Sequence, residues 1–404
     1  MPEPTFPEIG WDLNDPGPAL ASFLDTLPES PRLLGLGEPS HTQQAYPLWR
    51  NQIFQILVQH HGYRSIALES DLIAGLKVDA YISGGDGDFE DVMQHGFSHD
   101  FGKFEANQEL IRWMREFNTG RSEEDRLRFY GFDAPTESMW APGPRHALLV
   151  LHDHLARWVP DLTVDRDTLL HLCGEEENWT NPAAAMDPTQ SIGNSKEARE
   201  LRWMADEMMT LLEVEGARLQ VEQEAYWHAH LHARAAQGLL RYHALMATDS
   251  PHRLARLLTL RDQMMTDNLF SILEREKPRG PTLVFAHNQH LGRQVNRWKR
   301  GVLSLEWCPV GVHLSARLGK SYAFIATAVG QADGVPEPAQ DTVEGQLKRQ
   351  ASAATLYATH DLLPMLASSL SERTDTAANP AHFPLKPEEL RNTDGVLFLP
   401  DLNP

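Results

Sequence analysis

Leu33-Leu34-Gly35-Leu36-Gly37-Glu38-Pro39-Ser40-His41 reads as a short buried strand that stops at a glycine and opens into a polar loop. Its apolar residues run without polar alternation, the pattern of a strand covered on both faces. Two other stretches share this form. Thr282-Leu283-Val284-Phe285-Ala286 runs into His287-Asn288-Gln289-His290, and Ser65-Ile66-Ala67-Leu68 ends in Glu69. In open α/β sheets, ligands bind beyond the carboxyl ends of the strands. Three apolar strands that end in ionisable residues therefore predict one shared pocket.

Working outward, a first helix is predicted over residues 16–27. The broad apolar stripe of residues 46–60 predicts a second helix, and Gly62 stands at its C-cap position. With the strands on either side this makes a strand–helix–strand unit, which predicts a parallel crossover. An amphipathic helix over 104–117 and a strand over 127–131 follow. From 145 to 273 long helical patterns dominate, at 195–218, 222–246 and 252–274, apart from an irregular stretch at 174–190. Strand patterns resume at 282–286, 302–307 and 321–329. A loop is expected at 330–339, a helix at 356–370 and a last strand at 396–399. The fold class is thus α/β, a three-layer α/β/α arrangement with a mostly parallel or mixed sheet. The expected division is an α/β domain at 1–139 and 276–404, interrupted by a helical insertion at 140–275 that covers the cleft.

Composition sets limits. No apolar run in the 404 residues reaches the ~18–20 needed to span a membrane, so no membrane partner is expected. Residues 1–8 are acidic and proline-rich, without the basic and apolar regions of a secretory signal. The two cysteines, Cys173 and Cys308, imply no disulfide framework and fit a cytoplasmic location. A formal charge of −20 argues against nucleic acid, whose binders carry a basic face. It would tolerate a cationic small molecule but selects none in particular. The sequence sets no oligomeric state.

The candidate chemistry gathers at the strand ends. His41 is the leading general base, and Glu38, three residues before it, can hold the imidazole. Glu69, a buried carboxylate, requires a partner, and Arg50, on the helix that follows His41, is the expected one, in a bidentate pair. Arg50 could equally bind a developing oxyanion. His287 and His290 could donate to an oxyanion or leaving group, or bind a divalent metal. No HExxH motif is present, which favours chemistry without a metal or other cofactor. Asp133, after its strand, is read equally as a ligand-orienting group or a helix cap. His95 and His99 precede residue 104 in a segment predicted to border the pocket and are candidate substrate contacts. Ser40 lies in no GxSxG elbow and is not read as a nucleophile.

These residues resemble the erythromycin esterase family. The matching pieces, in order, are Gly37–His41, Arg50, Ala67-Leu68-Glu69, Trp113-Met114-Arg115-Glu116-Phe117-Asn118, Phe129-Tyr130-Gly131-Phe132-Asp133, Ala286–His290 and Gly311-Val312-His313-Leu314. The resemblance implies a carboxylic ester hydrolase in which His41 activates water against an ester or macrolactone carbonyl, without a covalent intermediate. It implies a small-molecule substrate, a macrolide being one option, and with it antibiotic resistance. The alternative is a non-esterase member: a metal-dependent hydrolase, or a protein that binds a small molecule or polysaccharide on the same scaffold.

Overall fold

A computed structural model describes residues 9–136, 140–219, 222–300, 303–376, 379 and 381–402. Residues 1–8, read above for a signal sequence, and residue 302, the first of an expected strand, lie outside these. The strands are β1 (Gly10–Asp12), β2 (Leu33–Glu38), β3 (Ser65–Asp71), β4 (Arg128–Asp133), β5 (Thr282–His287), β6 (Asn296–Arg300), β7 (Leu303–Trp307), β8 (Tyr322–Gln331), β9 (Thr355–Ala358) and β10 (Gly395–Asp401). The helices that matter here are α1 (Pro16–Thr26), α2 (Ala45–His60), α3 (Leu72–Ile82), α4 (Phe89–His95), α5 (Glu105–Asn118), α6 (Arg145–Trp158), α7 (Arg166–Cys173), α8 (Lys196–Val214), α9 (Gln223–Met246), α10 (Arg253–Glu276), α11 (Asn288–Leu291) and α12 (Val310–Leu318).

Eight strands form one sheet in the order β1-β9-β10-β8-β2-β5-β3-β4. From β10 to β4 every neighbouring pair is parallel, while β9 runs antiparallel to β10 and to β1. The strand–helix–strand unit formed as read, except that β5 inserts between β2 and β3. The unalternating apolar strands are covered on both faces, since successive side chains point to opposite sides. Leu34, Leu36, Ile66, Leu68, Leu283 and Phe285 pack with Phe23 of α1, Phe54 and Leu57 of α2, and Leu110 and Met114 of α5. Leu33, Ala67, Val284, Ala286 and Phe324 pack with Met265, Leu269 and Ile272 of α10, and Val310 and Leu314 of α12. This is the three-layer arrangement.

Among the described residues, every regular element from Arg145 to Glu276 is helical. Helices α6 to α9 share their own core, built from residues such as Leu148, Leu169, Leu201 and Ala236. Helix α10 closes the segment and also covers the sheet.

Three expectations need correction. The strand at 303–307 does not join the main sheet but pairs antiparallel with β6. Its Leu-Ser-Leu-Glu-Trp alternation is that of a half-exposed strand, not of a buried parallel one. The helix expected at 356–370 begins instead as β9, whose Leu356 and Tyr357 are buried on opposite faces of the sheet. Only the short helix Thr359–Leu362 and a 3-10 turn, Leu363–Met365, follow, with Pro364 in the turn. Helices α3 and α4 were not anticipated; Asp71 starts the first by accepting from the N–H groups of Ile73 and Ala74.

Gly37 shows how the sheet edge is built. A Cβ there would lie 2.1 Å from Asn288 Oδ1. That side chain is clamped to β8, giving to Thr327 O at 2.8 Å and accepting from Thr327 N–H at 3.2 Å. Gly37→Ala should break the clamp and destabilise the fold by about 1–3 kcal/mol, the usual cost of overpacking. A urea midpoint equal to that of the wild type would count against this account.

Candidate active site

The three strand ends converge. Glu38 pairs in register with His287, and Leu68 with Phe285. The register of β3 against β4 shifts between Leu68 and Asp71, a bulge that re-aims Glu69. Gly131 makes the bulge fit, because a Cβ there would lie 2.3 Å from Asp71 O. The rings of His41 and His287 end 5.3 Å apart.

His41 Nδ1 is 2.7 Å from Oε1 of the buried Glu38, and its Nε2 is 3.6 Å from Glu69 Oε1. Burial opposes charge on His41, but Glu69 and Glu38 together outweigh it and lift its pKa to about 10. At neutral pH that value makes the ring an imidazolium. Glu69 accepts the His287 backbone N–H on Oε2 at 2.8 Å. Its Oε1 faces His290 Nε2 at 3.1 Å and Arg261 Nη2 at 3.0 Å. Burial would raise the pKa of Glu69, yet His290 and His41 hold it well below the usual carboxylate range.

His290 donates its Nδ1–H to Asp262 Oδ1 at 2.7 Å. Burial disfavours its charge, but Asp262 and Glu69 raise its pKa to about 10. His287 is the opposite case. Its Nε2–H donates to Pro39 O at 3.0 Å, and its Nδ1 accepts from the Gln289 N–H at 3.1 Å. Burial and the neighbouring His41 push its pKa down to about 3. It is a neutral ring with both nitrogens engaged.

Arg50 is buried in the same pocket, but it does not pair with Glu69. It gives to Asn51 Oδ1 at 2.7 Å and Asn107 Oδ1 at 2.8 Å, and lies 5.1 Å over the Phe285 ring. Burial lowers its pKa to about 9 against the pull of Glu38. The cation on Glu69 is Arg261. Arg261 also holds Asp133, from Nε to Oδ1 at 3.0 Å and from Nη2 to Oδ2 at 2.5 Å. Asp133 is therefore tied into the cluster by Arg261 and by His99 Nε2 at 3.3 Å, and caps no helix among the described residues. His99 stacks near His41, with ring centres 6.4 Å apart. His99 and Asp100 both have positive φ, 56° and 58°, an unusual conformation for such residues that concentrates at functional sites. His95 stays outside the cluster: it is exposed on α4 and bonded to Asp91 at 2.8 Å. It shares only a surface groove with His99. A small cavity of about 20 Å³ is lined by His41, Glu38, Arg50, Glu69, Asn107 and the rings of Phe101, Phe104 and Phe285.

The family model for erythromycin esterase matches residues 58–401. The chain belongs to the erythromycin esterase family. Membership supports a hydrolase acting on esters. The match begins after Glu38, His41 and Arg50, so the roles of those three rest on their geometry. Erythromycin esterase type II of Escherichia coli is 23% identical over 306 residues, covering 72% of this chain and 67% of that protein. Three solved structures show the same fold. A Bacillus cereus protein superposes with a TM-score of 0.66 at 17% identity, over 97% of this chain and 92% of its own. A succinoglycan biosynthesis protein gives 0.66 at 16%, covering 95% and 90%. A histidine-to-asparagine mutant of the erythromycin esterase EreC, in its open conformation, gives 0.64 at 18%, covering 94% and 93%.

Sequence reasoning about this family member missed Arg261 and Asp262. One signal was available. Leu257, Met265, Leu269 and Ile272 form the buried stripe of α10, and Asp262 falls on it. A carboxylate on an apolar helix face requires a partner from elsewhere in the fold.

Proposed function

We propose that the chain is a carboxylic ester hydrolase in which His41, oriented by Glu38, activates water against an ester or macrolactone carbonyl. The observation that carries this reading is the 2.7 Å contact between His41 Nδ1 and a buried carboxylate, which leaves Nε2 on the side of the pocket. Once neutral, Nε2 takes a proton from water as the oxygen adds to the carbonyl carbon. The tetrahedral intermediate carries an oxyanion, for which the Arg50 guanidinium in the same cavity is the available cation. Collapse breaks the carbon–alkoxy bond, and the imidazolium returns its proton to the departing oxygen. No enzyme-bound ester forms. The donor roles first considered for His287 and His290 do not suit their rings, whose nitrogens are all engaged. A macrolide is the favoured substrate because relatives of this chain are named as erythromycin esterases and its cationic sugar suits an acidic protein.

The chemistry of the donors supports a metal-free reaction. Glu69 and His290 are saturated by each other, by Arg261 and by Asp262, so a cation would have to displace a guanidinium. The test is incubation of the purified protein with a macrolide and with simple esters, with and without a chelator, followed by mass spectrometry. The expected product is the lactone plus one water, formed at the same rate in both arms. Loss on chelation, restored by zinc or manganese, would make His290, Glu69 and Asp262 metal ligands. Failure on every ester would favour the binding-protein alternative.

A further inference from the structure

Asp262 has no solvent exposure. Its Oδ1 accepts from His290 Nδ1 at 2.7 Å and from the Val310 N–H, the first residue of α12, at 3.0 Å. Its Oδ2 is buried with no partner. An orphan oxygen on a buried carboxylate is unfavourable by an amount that a mere helix cap does not explain, because Ser or Asn would cap α12 without the charge. The His290 ring is what the charge serves. The Gly311-Val312-His313-Leu314 segment also finds its reason here. A Cβ at Gly311 would lie 2.1 Å from Leu291 O and 2.4 Å from Gly292 O. The missing side chain lets α12 close on α11 and set the Val310 N–H against Asp262.

Glu38, His41, Glu69, His290 and Asp262 form a line of alternating charge, with contacts of 2.7, 3.6, 3.1 and 2.7 Å. We propose that Asp262 is a positioning residue of the hydrolytic site, holding His290 so that its Nε2–H competes with His41 for Glu69 Oε1. This rests on His41 being the base. His41 has the longest of the three contacts to that oxygen, so its Nε2 is the one free to turn to water. If His290 lost its charge, Glu69 would be shared by Arg261 and His41 alone. Removing a positive charge near His41 makes its own proton harder to lose. The other groups facing His290 leave this sign unchanged: Arg261 stays on Glu69, His287 is neutral, and Cys308 lies beyond Asp262 next to His313.

The test is Asp262→Asn in the full chain, with His290→Gln as a second variant should the first not fold. In either, the acid limb of the kcat profile should move about one pH unit upward, a tenfold loss of turnover at pH values below the limb, with KM within about twofold of the wild type. In Asp262→Asn, the ¹⁵N imidazolium signals of His290 should be absent at neutral pH, whereas the wild type shows them. A limb left in place, with only a lower melting temperature, would overturn the proposal and reduce Asp262 to a helix cap. Imidazolium signals retained by His290 in Asp262→Asn would overturn it as well. The base reading is judged separately by His41→Ala: an active His41→Ala would sink that reading, while the His290 signals still decide whether Asp262 sets the charge of the ring.

Discussion

His41→Ala is expected to lower turnover of a true substrate by ~10²–10⁴, the contribution that a positioned base makes. Substrate binding should change far less, because the proton moves only in the transition state. The profile of kcat against pH carries the same assignment. An unperturbed histidine would give a limb near ~6.5 followed by a plateau. The structure changes it. Glu38 and Glu69 flank the ring and lift its pKa to about 10, so the neutral form keeps growing with pH and the rate should still be rising above neutrality. Glu69→Gln removes one of the two charges that raise it and should move the limb towards acid. Linkage gives an independent check. The raised pKa values of His41 and His290 add stability that is fully present below ~6.5 and is lost as pH rises through about 10. His287 acts at the other end, since its neutral form is the folded one and stability falls as pH drops from ~6.5 towards about 3. A rate plateau reached by neutral pH, or full activity in His41→Ala, would remove His41 from the role.

What the sequence revealed and what it hid divide on a physical line. The buried strands announced themselves by unbroken apolar runs, and strand ends in a parallel sheet share an edge whatever the connections. Hence Glu38, Glu69 and His287 could be placed together before any coordinates. Partner choice across the fold could not. Arg50 was matched to Glu69 because both were placed in one pocket and a buried carboxylate needs a partner. The guanidinium that reaches Glu69 comes from Arg261, 192 residues away, on a helix whose rotation no local pattern fixes. Short elements were lost for a similar reason. The four residues of β9 look helical until β10 and β1 pair on either side of them, and tertiary pairing overrides a weak local preference. His95 and His99 lie four residues apart in one segment, yet the left-handed turn at His99 and Asp100 sends only the second towards Asp133.

Arg261→Met should be the most damaging single change apart from His41→Ala. The side chain is the sole cation bonded to Asp133 apart from His99 among the described residues, and it shares Glu69 with His290. Both carboxylates are almost fully buried. Burial alone would raise the pKa of Asp133, and Arg261 is the main reason it lies below the usual carboxylate value. Removing one partner of a buried ion pair typically costs about 3–5 kcal/mol, because the remaining charge cannot reach water. Arg261→Lys should recover only part of that loss, since an ammonium cannot span two carboxylates with the planar fork that meets both here. Adding Asp133→Asn to Arg261→Met should restore stability relative to the single variant, because it removes the orphaned charge; a double-mutant cycle on urea unfolding measures that coupling. Simple additivity, or an Arg261→Met protein within about 1 kcal/mol of the wild type, would show that the guanidinium does not hold the strand ends together.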